Sequence, residues 1–192
     1  MSYVAAIEVE GPQRVKLRAK DFALLDERGA FDDYAKTELM EGQVYFMNAQ
    51  HRPHALLKII LYDLLKAGLA QAGSSLRPLV EVSVALGEHD VPEPDIALTD
   101  APVGTGFVPG ETVKLAVEVA DATLDVDLGR KLRAYAAAKI PEYWVADLNG
   151  RLIHQFWAPE GNTYREHREL AFGHAVTATT IAGLTIDTAE IG

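Results

Sequence analysis

Bulky apolar residues fall at every second position of Val113-Lys114-Leu115-Ala116-Val117-Glu118-Val119, which makes this run a strand. Val113, Leu115, Val117 and Val119 share one face, and Lys114, Ala116 and Glu118 share the other. The next segment has a different period. Asp125 or Asp127 offers an N-cap for a helix through Arg130, Lys131, Tyr135 and Ala138, and Pro141 stops it. Tyr143-Trp144-Val145-Ala146-Asp147 and Leu152-Ile153-His154-Gln155-Phe156-Trp157 then read as strands joined at Asn149-Gly150, a hairpin signal. A chain with this centre has to fold as a sheet with helix packed on it.

The flanks agree. Residues 38–47 read as two short strands about a Glu41-Gly42 turn. Between His54 and Ala72, apolar Leu56, Leu57, Ile60, Leu61, Leu64, Leu65 and Leu69 have helical spacing. Residues 80–86 alternate as a strand, and residues 94–98 form another that begins with Pro94. Gly161-Asn162 makes a turn before Thr163 to His167, and Gly183 to Asp187 is a last short strand or loop. Near the N-terminus, residues 13–20 alternate basic and apolar, either as a short strand with Val15 and Leu17 facing inward or as an extended arm. Asp21 caps a helix that closes at Gly29. The fold class is α+β, a mixed α/β sheet flanked by helices.

Composition narrows the functions. With 192 residues, 48% of them hydrophobic, the chain can bury one sizeable core. It has no cysteine, so disulfides, thiol catalysis and cysteine-bound zinc are excluded. The net charge of −10 argues against holding polyanions through overall charge. Apolar runs are too short for a membrane span, and residues 1–8 lack a basic leader, so a cytoplasmic location is expected. There is no Gly-x-x-x-x-Gly-Lys-Ser/Thr loop, Gly-x-Ser-x-Gly elbow or His-Glu-x-x-His helix. Of the six histidines only His51 and His54 are close in sequence, and such pairs are more often surface groups than ligands.

The positive signal is carboxylates in strands. Asp95 points away from Ile96 and Leu98, and Glu118 away from Val117 and Val119. If these strands are neighbours, both acids converge on one face and can hold Mg²⁺ through oxygen. Water activated by such an ion can attack a phosphodiester. Lys131, on the helix after the Glu118 strand, could orient that water or stabilise the charged phosphate. Otherwise the three residues are a solvated strand face and a solvated helix face.

Four blocks bear a resemblance. They are Pro94-Asp95-Ile96-Ala97-Leu98, Leu115-Ala116-Val117-Glu118-Val119, residues 127–135 around Arg130-Lys131, and Ile140-Pro141-Glu142-Tyr143-Trp144-Val145-Ala146-Asp147. Together they resemble the Uma-type restriction endonuclease family of the PD-(D/E)XK nuclease superfamily. Glu38-Leu39-Met40-Glu41-Gly42 resembles the family's opening element, and His54 stands where the family often has a histidine. The resemblance covers residues 34–190 as one restriction-endonuclease-like domain, with residues 1–33 as an N-terminal extension.

That resemblance implies Asp95 and Glu118 as metal ligands, Lys131 as the catalytic lysine moved onto the helix, and Glu38 as a further catalytic acid. The superfamily's usual lysine position falls on Ala120, which cannot serve. The turn after Glu118, Ala120-Asp121-Ala122-Thr123, also departs from the family's Ser-Pro-Ser-Thr-like pattern, and Gln43 replaces a common acid. The implied function is a Mg²⁺-dependent DNA endonuclease, with Mn²⁺ as a substitute, acting as a homodimer. The alternative is a catalytically inactive nuclease-fold module for binding or assembly. Arg130, Arg133 and Lys139 are candidate phosphate contacts, and the aromatics between Tyr143 and Trp157 are candidate interface residues.

Overall fold

The computed structural model describes residues 11–191. The reading of residues 1–8 lies outside them. The first element is α1 (Ala19–Glu27). Its cap is Arg18, and Asp21 sits in the first turn with its carboxylate returned to the Arg18 backbone and guanidinium. Asp21 is therefore not the cap, because the helix begins two residues before it. Val15 is 84% exposed and Leu17 packs beside the Phe22, Leu39 and Val91 cluster, so only Leu17 faces inward.

β1 (Lys36–Met40) and β2 (Gln43–Met47) form the expected hairpin. Glu41 and Gly42 both have positive φ, 54° and 78°, the conformation a tight hairpin turn needs. The long helix α2 (Arg52–Gln71) is next, with Pro53 in its first turn. Its buried stripe is Leu57, Leu61, Leu65 and Leu69, whereas Leu56 is exposed.

β3 (Arg77–Val80) and β4 (Val84–Ala85) replace the single strand expected over residues 80–86. Glu81 breaks it, with φ 50°, its N–H donating to the Asp95 carbonyl and its carboxylate drawn to Lys58. β5 (Ile96–Thr99), β6 (Val108–Pro109) and β7 (Val113–Ala120) come next. A helical run then passes through α3 (Leu124–Val126), a π turn (Asp127–Lys131) and α4 (Leu132–Ala137). β8 (Glu142–Asp147), β9 (Leu152–Glu160), β10 (Thr163–Ala171), β11 (Ala175–Thr177) and β12 (Thr185–Asp187) complete the order.

Six strands form the central sheet in the order β10-β9-β8-β7-β5-β3. Within this sheet only β7 and β8 pair in parallel, because the helical run between them carries the chain back across the sheet. The fold is thus α+β with a mixed sheet. One face carries Leu115, Val117, Val119 and Trp144 and is covered by the α2 stripe and by β11 and β12. Gly68 makes that cover possible, since a Cβ there would stand 2.9 Å from the Thr185 carbonyl and 2.8 Å from Leu184. The other face carries Ala116, Ala120, Tyr143 and Val145 and packs under Tyr135, Ala136 and Ile140.

Tyr143 and Trp144 are fully buried and Phe156 nearly so. They are core, not an interface between copies, because successive β8 side chains enter the two packed faces. Glu142, also fully buried, accepts from the Thr179 and Thr180 backbone N–H groups, Trp144 Nε1 and Gln155 Nε2. It pins the C-terminal loop to the sheet. Among the described residues no helix is long and apolar enough to cross a membrane.

Candidate active site

Glu118 lies on the face of β7 that also carries Ala116 and Ala120. Ile96 pairs with Val117, so Asp95, one residue before β5, stands opposite Glu118. The Val119 N–H donates to Asp95 Oδ2 at 2.8 Å and fixes that carboxylate on the strand end. Glu38 arrives from the separate β1–β2 hairpin, which is tied down where Leu39 bridges Val91. Its Oε1 accepts the Glu93 N–H at 3.0 Å.

The π turn brings in the cation. Lys131 Nζ lies 2.9 Å from Glu118 Oε1, 3.1 Å from Glu38 Oε1 and 4.0 Å from Asp127 Oδ1. Widened turns of this kind are frequent at functional sites. Tyr135, one turn further on, donates its hydroxyl to Glu118 Oε1 at 2.9 Å. On the opposite wall His54 Nε2 stands 3.2 Å from Asp95 Oδ2. Lys58, the next turn of α2, stands 3.9 Å from Asp95 Oδ1 and bonds Gln50 and Glu81. The cavity between these walls encloses about 380 Å³.

Glu38, Asp95, Glu118 and Asp127 are each no more than 3% exposed. Burial pushes Glu118 up to about 8, against the opposing charge of Lys131. Burial likewise lifts Asp127 to about 6. For Lys131, burial alone would favour the neutral amine, but the charges of Glu118, Glu38 and Asp127 outweigh it and hold the ammonium above its ordinary range. Asp95 goes the other way. Its burial cost is outweighed by the hydrogen bond and charge of His54, so its carboxyl is held below the usual value. Three buried carboxylates, Glu38, Glu118 and Asp127, thus surround the Lys131 ammonium, while Asp95 faces His54 and Lys58 on the opposite wall.

A family model described as "Uma2: Putative restriction endonuclease" matches residues 20–189. The chain belongs to the Uma2 family. Among solved structures it is similar to "a putative nuclease belonging to DUF820" from Anabaena variabilis ATCC 29413. The TM-score is 0.66 at 10% identity, over 91% of this chain and 97% of that one, which establishes a shared fold. No curated protein matches.

In this Uma2 chain Asp95, Glu118 and Lys131 line one cavity, and Glu38 meets Lys131 beside it although the two are 93 positions apart in sequence. Glu38 sits inside β1 and does not merely flank it. Asp127 is a different case. It was a candidate cap, but the cap is Thr123, whose hydroxyl donates to Asp127 Oδ2, and Asp127 turns into the cavity. His51 stays exposed at the start of α2, so only His54 of that pair reaches Asp95. Arg130 lies over the Tyr45 ring at 4.2 Å, while Arg133 and Lys139 are exposed.

Lys58, Gln50 and Glu81 escaped the sequence reading. Lys58 carried a signal, a charge four residues after His54 on the buried side of an apolar helix. Glu81 carried none, since its left-handed backbone arises from its partners. The divalent cation expected of this chemistry fits the donors present. Both hydrogen bonds to Glu118 fall on Oε1, so Oε2 is left for a cation, and the surrounding donors are hard oxygens.

Proposed function

We propose that this protein is a divalent-cation-dependent endonuclease that hydrolyses phosphodiester bonds of DNA. The observation that carries the reading is the convergence of Lys131 on Glu118 and Glu38 beside Asp95, at the bottom of an open cavity. Asp95 and Glu118 would hold Mg²⁺ or Mn²⁺, with Glu38 and Asp127 adding negative charge behind them. When bound, such an ion supplies positive charge at the scissile phosphate and lowers the pKa of water toward neutrality.

The chain's own groups do the rest. An ammonium has three N–H donors. Lys131 donates one to Glu118 and pairs with Glu38 at 3.1 Å, which leaves a donor for the attacking water or a phosphate oxygen. Because Glu38, Glu118 and Asp127 hold Lys131 protonated, it acts as a donor and not as a base. His54 keeps Asp95 ionised and oriented. Cutting both strands of a duplex calls for two sites, which a two-fold homodimer supplies.

Supercoiled plasmid incubated with Mg²⁺ or Mn²⁺ tests this directly. The expected result is nicked and linear product that disappears with chelator. It should fall about 10²–10³-fold in Lys131→Ala and in Asp95→Asn. Metal binding without cleavage of any DNA form would instead mark a nuclease-fold binding module.

A further inference from the structure

The sheet face that carries Glu118 continues outward through paired positions Val145, His154 and Glu169 on β8, β9 and β10. With strands spaced about 4.8 Å apart, His154 is about 10 Å from Glu118 and shares no ligand with the cavity. His154 opposes Glu169, and Phe156 opposes His167, so His154, His167 and Glu169 are mutual neighbours on one surface. One ligand atom from each lies within 4.8 Å of the others.

His154 is only 8% exposed, yet its Nε2 is buried without a hydrogen-bond partner, a condition that His54 Nδ1 shares in the other site. Its other ring nitrogen, Nδ1, lies 3.4 Å from Glu169 Oε1. Zinc bonds of about 2.0–2.1 Å arranged tetrahedrally set ligand atoms about 3.4 Å apart, so these two atoms already have the spacing. His167 stacks on Phe156 with ring centroids 4.3 Å apart and planes within 12°. That stack fixes its ring plane next to His154, and its exposed side chain has room to close the remaining gap. Behind the cluster, Asp147 Oδ2 stands 4.0 Å from His154 Nε2. Asp147 Oδ1 is held by the Asn149 and Gly150 N–H groups, which leaves Oδ2 to take an imidazole proton.

We propose that His154 Nδ1, His167 and Glu169 form a second metal site, separate from the carboxylate cavity and suited to Zn²⁺. Two imidazoles and one carboxylate are a borderline-soft donor set, unlike the all-oxygen cavity that suits Mg²⁺. Asp147, 4.0 Å from Nε2, is the outer carboxylate that would close on the Nε2 proton when metal binds Nδ1, setting the tautomer in which Nδ1 carries the lone pair. The metal joins β9 to the edge strand β10 and keeps one coordination position open to solvent.

The test is Zn²⁺ titration by calorimetry on chelator-treated full-length protein, with excess Mg²⁺ present to fill the cavity. Wild type should show one saturable Zn²⁺ site. Asp95→Asn with Glu118→Gln should keep that site. His167→Ala, an exposed position, should lose it, and Asp147→Asn should weaken it about 10–100-fold. Cobalt(II) absorption supplies a second readout, with intense visible bands in wild type and none in His167→Ala. No saturable Zn²⁺ binding to wild type, or equal binding by His167→Ala, overturns the proposal.

Discussion

Lys131 places its ammonium 2.9 Å from Glu118 although it lies 13 residues further along the chain, on a different element. Ala120, on the same strand face as Glu118, is fully buried under the helical run and leaves no room for a lysine side chain of its own. The π turn supplies from above the positive charge that the strand lacks. Glu118 and Asp127 then depend on that cation, while Glu38 also has Lys36 at 3.9 Å.

Lys131→Met removes that cation and keeps much of the side-chain volume. Breaking a buried pair by deleting one partner costs about 3–5 kcal/mol, because the remaining charges stay uncompensated. The loss should be larger at pH 9 than at pH 6. At the lower pH, Glu118 can stay protonated, since its value is raised to about 8 even beside Lys131. Urea unfolding at the two pH values measures it.

Tyr135→Phe removes one of the two hydrogen bonds to Glu118 Oε1 and leaves the ring packing intact. A hydrogen bond to a charged group is worth about 1.5–3 kcal/mol. We expect a loss in that range above pH 8, where Glu118 is ionised, and a smaller one at pH 6. Thermal unfolding across this range reads the difference.

Much of this arrangement was legible in the chain. The alternation through Val119 placed Glu118 on the opposite face from the core valines, and Pro141 and Asn149-Gly150 punctuated the later elements. The strand acids and Lys131 came from that pattern together with the family resemblance. What stayed hidden depends on tertiary partners. Asp127 looks like a helix cap by residue type, and only the π turn shows it directed inward. Glu81 ends a strand that its neighbours in sequence would continue, because Lys58 and the Asp95 carbonyl hold it elsewhere. By residue type Trp144 and Tyr143 suit either a core or an interface, and sheet packing on both faces puts them in the core.

Glu142 is the buried acid with no cation in its role. Its oxygens accept the Thr179 and Thr180 N–H groups and the Thr180 hydroxyl. Glu142→Gln turns one accepting oxygen into a donor facing other donors. The expected cost is about 3 kcal/mol, from weakened charged hydrogen bonds and an unsatisfied group. Metal affinity of the folded protein should not change. Denaturant unfolding alongside Mn²⁺ calorimetry separates this structural role from a catalytic one.

Stability of the metal-free protein should fall as pH rises from about 5 to 8. Glu118 loses its proton near the ordinary 4.5 when unfolded but only at about 8 when folded. Asp127 behaves alike, with about 6 against 3.8. Between these values the folded state binds more protons than the unfolded state, so each step up in pH favours unfolding. Asp95, held below its ordinary value, acts in the opposite sense, but only at more acidic pH. Glu118→Gln should flatten the slope, and saturating Mg²⁺ should do the same in wild type, because a bound cation replaces the proton on the carboxylate. Thermal unfolding from pH 5 to 8.5, with and without Mg²⁺, gives the profile. A slope that persists above about pH 6 in Glu118→Gln, beyond the range of Asp127, would place the titrating group elsewhere.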